Sequence, residues 1–254
     1  MKLIETHSCN DHDTTNDLIL GLYESETESR RDVEHFIHRV FSRAYNADLN
    51  HYLPRLMALR GKNNRMVAAL GMREASSGHL FLENYLDSPI EKVISQLDNS
   101  DVSRDRIMEV GNLASVHRGG LRQLIVALTS YLSGVGSEWV VFTAVPAVRN
   151  AFAAMDLTLH PLAVADKSCL TKDEQALWGS YYETGPMVVA GRVEEGFQRL
   201  RELIELEKAM NLSCYLWQYA YVAGSRQRNI NTVVANQIRM TRLQEMYQLQ
   251  EKVS

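Results

Sequence analysis

Hydrophobic and polar positions along this chain follow two periods in alternation, and the switch between them is sharpest over residues 106–157. Residues 106–115 read as a strand. Arg118-Gly119-Gly120 then reads as a tight turn with free backbone N–H groups. Leu121, Leu124, Ile125, Leu128, Tyr131 and Leu132 follow at helical spacing. Residues 139–145 are continuously apolar, the mark of a strand buried on both faces. Pro146 suits the first position of the next helix, where its missing donor costs nothing. The run predicts a β-α-β-α unit whose first βα junction can seat an anion on helix N-terminal N–H groups.

The flanking pattern extends the unit in both directions. Residues 17–23 predict a short strand, and residues 31–45 an amphipathic helix with Val33, Phe36, Ile37, Val40, Phe41 and Ala44 on one stripe. Residues 55–60 and 66–72 flank Gly61-Lys62-Asn63-Asn64 as a hairpin. Residues 80–85 predict a short strand or turn. Ser88-Pro89-Ile90-Glu91 reads as a capping box with proline at the first helical position, opening a helix through Leu97. Further on, strands are expected over 158–164 and 186–192, with a polar loop or short helix over 166–177 between them. Residues 193–210 form a charged amphipathic helix, and 215–222 (YLWQYAYV) are aromatic-rich. Gly224-Ser225 then precedes a polar helix with Ile230, Val233, Val234 and Ile238 on one face. The fold class is α/β, a mixed sheet flanked by helices with a helical C-terminal extension. Residues 1–192 form the main domain and 193–254 the extension.

Composition narrows the setting. With 254 residues and 45% apolar content the chain can bury a substantial core. A net charge of −4 gives no sign of a nucleic-acid partner. Cys9, Cys169 and Cys214 form no framework or metal-ligand spacing, which suggests a reducing compartment. The polar start and the short apolar runs point to a cytoplasmic protein. Charge is unevenly spread: residues 223–254 hold five Lys or Arg and two acids, a net of +3, so the remainder holds −7. The tail is therefore expected to pack on the core or on a second subunit of a homodimer, or to offer a basic face to an acidic carrier protein or a membrane surface. His35 and His38 lack a third ligand nearby, and no metal is predicted.

The order of elements over residues 109–157 resembles the acyl-CoA-binding core of the GNAT acyltransferase superfamily. With LFLENYLDSPIE (80–91), EVGNLASV (109–116), WVVFTA (139–144) and WGSYYETGP (178–186), the chain more closely resembles the thermostable hemolysin family over about residues 30–195. That family is related to N-acyl-homoserine-lactone synthases and N-acyl amino acid synthases. The resemblance implies a GNAT-like fold. It also implies transfer of a fatty acyl group from acyl-CoA, or from the phosphopantetheine of acyl-carrier protein, onto an amino acid or amine. The pantetheine arm would pair with backbone around Leu113, Ala114, Ser115 and Val116. Its phosphate would sit on the N–H groups of Arg118, Gly119, Gly120, Leu121 and Arg122. Arg122 stands where the superfamily loop has Gly or Ala, a departure that suits the single phosphate of a carrier protein. Asn150 occupies a position where the superfamily often places a cofactor-contacting Asn, and the acids of the autoinducer synthases point to Glu83 and Asp87 as acceptor-holding residues.

Other candidates come from the residues themselves. Glu109, an acid inside an apolar strand, is either a surface residue or a cleft carboxylate able to take a proton from an attacking amine. Tyr182 is a candidate donor to a leaving thiolate, with Asn112 and Tyr181 as further polar candidates. Arg60 and Arg73 end the hairpin strands and could bind an acceptor carboxylate. With no nucleophile motif in the sequence, direct attack is favoured over a covalent acyl-enzyme. Two other functions stay open: a membrane-active hemolysin using residues 193–254, and a GNAT-like ligand-binding protein without catalysis.

Overall fold

The computed structural model describes residues 18–24, 29–61, 64–206 and 212–251. Cys9, Asp17 and the Lys62-Asn63 pair of the hairpin loop lie outside them. Seven strands form one mixed sheet in the order β1-β2-β3-β4-β5-β7-β6. These are β1 (Ile19–Tyr23), β2 (Arg55–Arg60), β3 (Met66–Glu74), β4 (Ile107–Ser115), β5 (Trp139–Ala144), β6 (His160–Val164) and β7 (Met187–Arg192). Every neighbouring pair is antiparallel except β4 and β5. That parallel pair is the one joined by the helical crossover that the β-α-β-α pattern predicts.

The helices follow the apolar stripes closely: α1 (Arg30–Tyr45), α2 (Ile90–Asp98), α3 (Arg118–Val135), α4 (Pro146–Ala153), α5 (Lys172–Leu177), α6 (Val193–Leu206) and α7 (Leu212–Glu251). Both α1 and α3 pack on β2, β3 and β4, which is possible only from opposite faces. Accordingly Leu56 to Leu59 and Val67 to Met72 are buried without alternation. A second core lies over the β5–β7 end, where Leu80, Leu82, Ile90 and Ile94 cover Val141, Val188 and Ala190.

Where a strand or turn is expected, residues Phe81–Tyr85 form a 3₁₀ turn. Three local expectations are corrected. Pro89 is the residue before α2, not its first, and the cap on Ile90 N–H is the carboxylate of Glu83 at 2.8 Å. Gly119 and Gly120 lie inside the first turn of α3, because the side chain of His117 caps that helix. Gly224 and Ser225 lie within α7 and do not interrupt it: a Cβ at Gly224 would stand 2.2 Å from the carbonyl oxygen of Tyr131, so the glycine permits close approach of α7 to α3.

Candidate active site

The site begins where the parallel pair comes apart. β4 pairs with β5 only from Ile107 opposite Trp139 to Val110 opposite Phe142. Beyond that point β5 pairs with β7, while β4 continues along β3 to Ser115. The ladder of β4 also shifts register here, between Ala69 and Gly71 of β3. Asn112 is the cause. It adopts a left-handed conformation (φ 52°), and its side chain accepts from Leu53 N–H at 3.0 Å and donates to the carbonyl of His51 at 3.2 Å. Gly71, which pairs with Gly111, leaves no room for a Cβ, which would lie 2.8 Å from Leu53 Cβ and 2.9 Å from Asn112 Oδ1. This β-bulge turns the strand away and leaves the β5-facing edge of Gly111–Leu113 without a strand partner.

The opening leads into a cavity of about 590 Å³, within the range of small-molecule sites. Its floor is Glu109, Val110, Gly111, Asn112 and Leu113 with Phe142 and Thr143, and residues 49–53 form one wall. Another wall is a run of touching aromatic rings: Phe41, Tyr45, Tyr181, Trp178, Phe81, Tyr85 and Tyr182. Asp173, Glu174 and Leu177 of α5 with Val145 and Val148 complete the lining.

Arg73 and Glu109 are direct cross-strand partners, so the pleat brings both to one face. Glu109 is 4% exposed. One of its oxygens accepts from Arg73 Nε at 3.0 Å and Nη2 at 2.6 Å; the other accepts from Leu82 N–H at 3.2 Å. Arg73 Nη1 has no hydrogen-bond partner among the described residues. A hydrogen-bonded carboxylate thus stands beside a guanidinium edge that is still available. Burial pushes the Tyr45, Tyr85, Tyr181 and Tyr182 hydroxyls well above the ordinary tyrosine value, so all four are neutral at any ordinary pH.

The cavity therefore brings Glu109 and Leu113 of β4 together with Arg73 and Tyr182, which lie far from them in the sequence. Ala114 and Ser115 follow on, buried and paired with β3, and the Val116 N–H is taken by the carbonyl of Val67 at 3.1 Å. At the start of α3 the Gly120 N–H is bonded to His117 Nδ1 at 2.9 Å and the Leu121 N–H to the His117 carbonyl at 3.2 Å. Gly120 also has a packing role: a Cβ there would stand 2.6 Å from Val67 Cγ1. Arg118, Gly119 and Arg122 are exposed.

Four candidates fall elsewhere. Asn150 is exposed on α4 and lines no part of the cavity. Glu83 and Asp87 border a separate depression with Gly78, His79, Glu91 and Arg104. Glu83 is saturated there by Arg104 and by the N–H groups of Leu80 and Ile90. Burial opposes its charge, but those bonds outweigh it and hold the carboxyl at about 2. Arg60 meets Tyr23, the Asn64 carbonyl and Asp32, not the cavity. Residues not singled out by sequence include Phe41, Tyr45, Phe81, Tyr85 and Trp178. Their one advance signal was the i, i+4 spacing of Phe81 and Tyr85 within an otherwise ambiguous segment. Among the described residues no cluster of His, Cys, Asp or Glu could hold a metal ion, and no helix is long and apolar enough to cross a membrane.

A mixed sheet with a splayed parallel pair, flanked by helices, and a cavity at the splay define an α/β protein with a helical C-terminal segment. The chain belongs to the thermostable hemolysin family, whose model matches residues 23–197. No curated protein matches it. Among solved structures it is similar to BjaI, a CoA-dependent acyl-homoserine lactone synthase with SAM and isopentyl-CoA. That match has 14% identity, 73% of this chain, 89% of that chain and TM-score 0.50. It is also similar to FeeM, an N-acyl amino acid synthase from uncultured soil microbes, at 11% identity, 71% of this chain, 94% of that chain and TM-score 0.46. A GCN5-related N-acetyltransferase from Kribbella flavida matches at 9% identity, 68% of this chain, 97% of that chain and TM-score 0.39.

Proposed function

We propose that this protein is a cytoplasmic N-acyltransferase that moves a fatty acyl group from acyl-carrier protein or acyl-CoA onto an amino acid or amine by direct attack. One observation supports this above the others: the unpaired edge of β4 at Gly111–Leu113 opens into a cavity that also contains the Arg73–Glu109 pair. A pantetheine arm has two amides and needs main-chain partners, which that edge offers. The aromatic wall suits an acyl chain. Glu109 receives the proton of the attacking amine, and Arg73 uses its free Nη1 edge to hold an acceptor carboxylate. Acceptor binding is thus assigned to Arg73 and Glu109, since Glu83 and Asp87 face a different depression. The phosphate of the donor is assigned to the exposed first turn of α3, with Arg118 and Arg122 supplying charge.

The test is to incubate the purified protein with octanoyl-carrier protein or octanoyl-CoA and a pool of amino acids and amines. Thiol release is followed, and the products are identified by mass spectrometry. Acylated amine is expected; thiol release from neither donor sinks the proposal.

A membrane-active role is favoured by one feature of α7, on which Tyr215, Tyr219, Val222, Ile230 and Val233 are exposed and spaced along one stripe with Arg226. Dye release from anionic vesicles by the full chain, with none by a chain ending before residue 212, would support it.

A further inference from the structure

Two hydroxyls of the aromatic wall face each other. Tyr85 ends the 3₁₀ turn whose Leu82 N–H is bonded to Glu109, and Tyr182 lies in the segment between α5 and β7. Their hydroxyl groups hydrogen-bond to one another, and both rings line the cavity. Each hydroxyl has one proton to donate. The mutual bond uses one of the two, and among the described residues neither hydroxyl has another partner. The second proton therefore has only the contents of the cavity to bond, and the first bond polarises and strengthens that donor.

We propose that Tyr85 and Tyr182 act as one hydrogen-bond donor to the oxyanion of the tetrahedral adduct, an assignment that rests on the acyltransferase function above. The amine nitrogen attacks the thioester carbonyl carbon, a C–N bond forms, and the carbonyl π electrons move onto oxygen. The pair donates its free proton to that oxygen as a hydrogen bond without releasing it. The proton lost by nitrogen goes to the Glu109 carboxylate. On collapse the carbonyl re-forms, the C–S bond breaks, and the leaving thiolate takes up the proton from Glu109. The products are an amide and a free thiol, with Glu109 and both tyrosines restored.

Stabilisation of the oxyanion fits these tyrosines better than protonation of the thiolate. Burial raises both hydroxyls far above the ordinary tyrosine value, while a thiol ionises at about 8.5. Proton transfer from tyrosine to thiolate would run steeply uphill. A hydrogen bond needs only that the hydroxyl stay neutral, which burial secures. The same geometry brings in Tyr85, a residue that no sequence motif marks.

The experiment compares the full-length protein with Tyr182→Phe, Tyr85→Phe and the double variant, using octanoyl-CoA and octanoyl-carrier protein as donors with the amine pool. Each variant is checked for folding by circular dichroism. Tyr182→Phe is expected to lower kcat by about 10²–10³, the usual effect of one oxyanion donor, with little change in KM for the donor. Tyr85→Phe should lose about fivefold, one neutral hydrogen bond, and the double variant should be no slower than Tyr182→Phe alone. A third donor, the thiophenyl ester of octanoic acid, supplies an aryl leaving group, and the losses should be equal for alkyl and aryl thioesters. An unchanged kcat in Tyr182→Phe, or a loss confined to the alkyl thioester, overturns the assignment. If Tyr182→Phe does not fold, Tyr85→Phe decides, and an unchanged kcat there overturns it. Wild-type protein that uses neither donor overturns the acyltransferase function and this assignment together, whereas wild-type turnover with undiminished variants overturns this assignment alone.

Discussion

Glu109 and Glu83 are both buried carboxylates, and their neighbours set them apart. Glu109 faces the main cavity with one oxygen on Arg73 and the other on a single N–H group. Replacing it with Gln keeps the shape and removes the proton acceptor. We expect kcat to fall by about 10²–10⁴ with near-native circular dichroism; retained turnover would remove Glu109 from the mechanism. Glu83 instead ties Arg104 to the cap of α2. Its folded value of about 2 lies below the ordinary 4.5, so the stability it adds is present above about 4.5 and is lost as pH falls through about 2. Glu83→Ala should cost about 3 kcal/mol in denaturant unfolding at pH 7. The gap to wild type should narrow as pH falls from 4.5 towards 2, and a constant gap would contradict this account. In the sequence both acids were site candidates, Glu109 as a base within an apolar strand and Glu83 as an acceptor-holding residue by resemblance. The Arg104 that neutralises Glu83 lies 21 residues away, and nothing in LFLENYLD reveals it. Asn150 was placed by resemblance alone, and which side of α4 faces solvent depends on the packing of its neighbours.

At the scale of elements, the bulge in β4 and the crossing of α7 over α3 decide the shape of the site. Asn112 combines a left-handed backbone with a clamp on residues 51–53. Asn112→Gly preserves the backbone conformation but loses the clamp, while Asn112→Ala loses both. Unfolding free energy should therefore fall more for Ala than for Gly, by about 1 kcal/mol. Equal losses would show that the backbone conformation contributes nothing. Gly224→Ala would push α7 off Tyr131 and Gly134 of α3. A loss of about 1–3 kcal/mol is expected in thermal unfolding; an unchanged midpoint would contradict the close contact. The helices and strands themselves were legible because their apolar periods are long and regular. The bulge was not, since a left-handed Asn next to a glycine pair leaves no periodic trace. The Gly119-Gly120 turn was misplaced because the capping role of His117 depends on how its side chain is turned, and Gly224 was taken for a break when its use is close helix packing.

Across the whole molecule, two cores on one sheet hold rigid the strands that part at Val110 and Phe142. The cavity draws its walls from α1, the segment before β2, the 3₁₀ turn at 81–85 and the segment around Trp178. Only the folded chain assembles them, which is why four sequence blocks could suggest the family while leaving most of the aromatic wall unnamed. Residues 223–254 carry a basic excess on a chain of net charge −4, which would favour the approach of an acidic carrier protein. If that attraction matters, turnover with octanoyl-carrier protein should fall steeply between low and physiological salt, and turnover with free octanoyl-CoA much less; equal salt sensitivity would exclude the tail from donor choice.

The most direct measurement is a crystal structure of the full chain with a non-hydrolysable acyl-pantetheine thioether ketone. The pantetheine amides should lie on the main chain of Gly111–Leu113, the ketone carbon within reach of Glu109, its oxygen facing the Tyr85–Tyr182 pair and the acyl chain along Trp178 and Phe41. A ligand seated away from the parted strands, or a β4 edge closed by protein when ligand is bound, would contradict this arrangement.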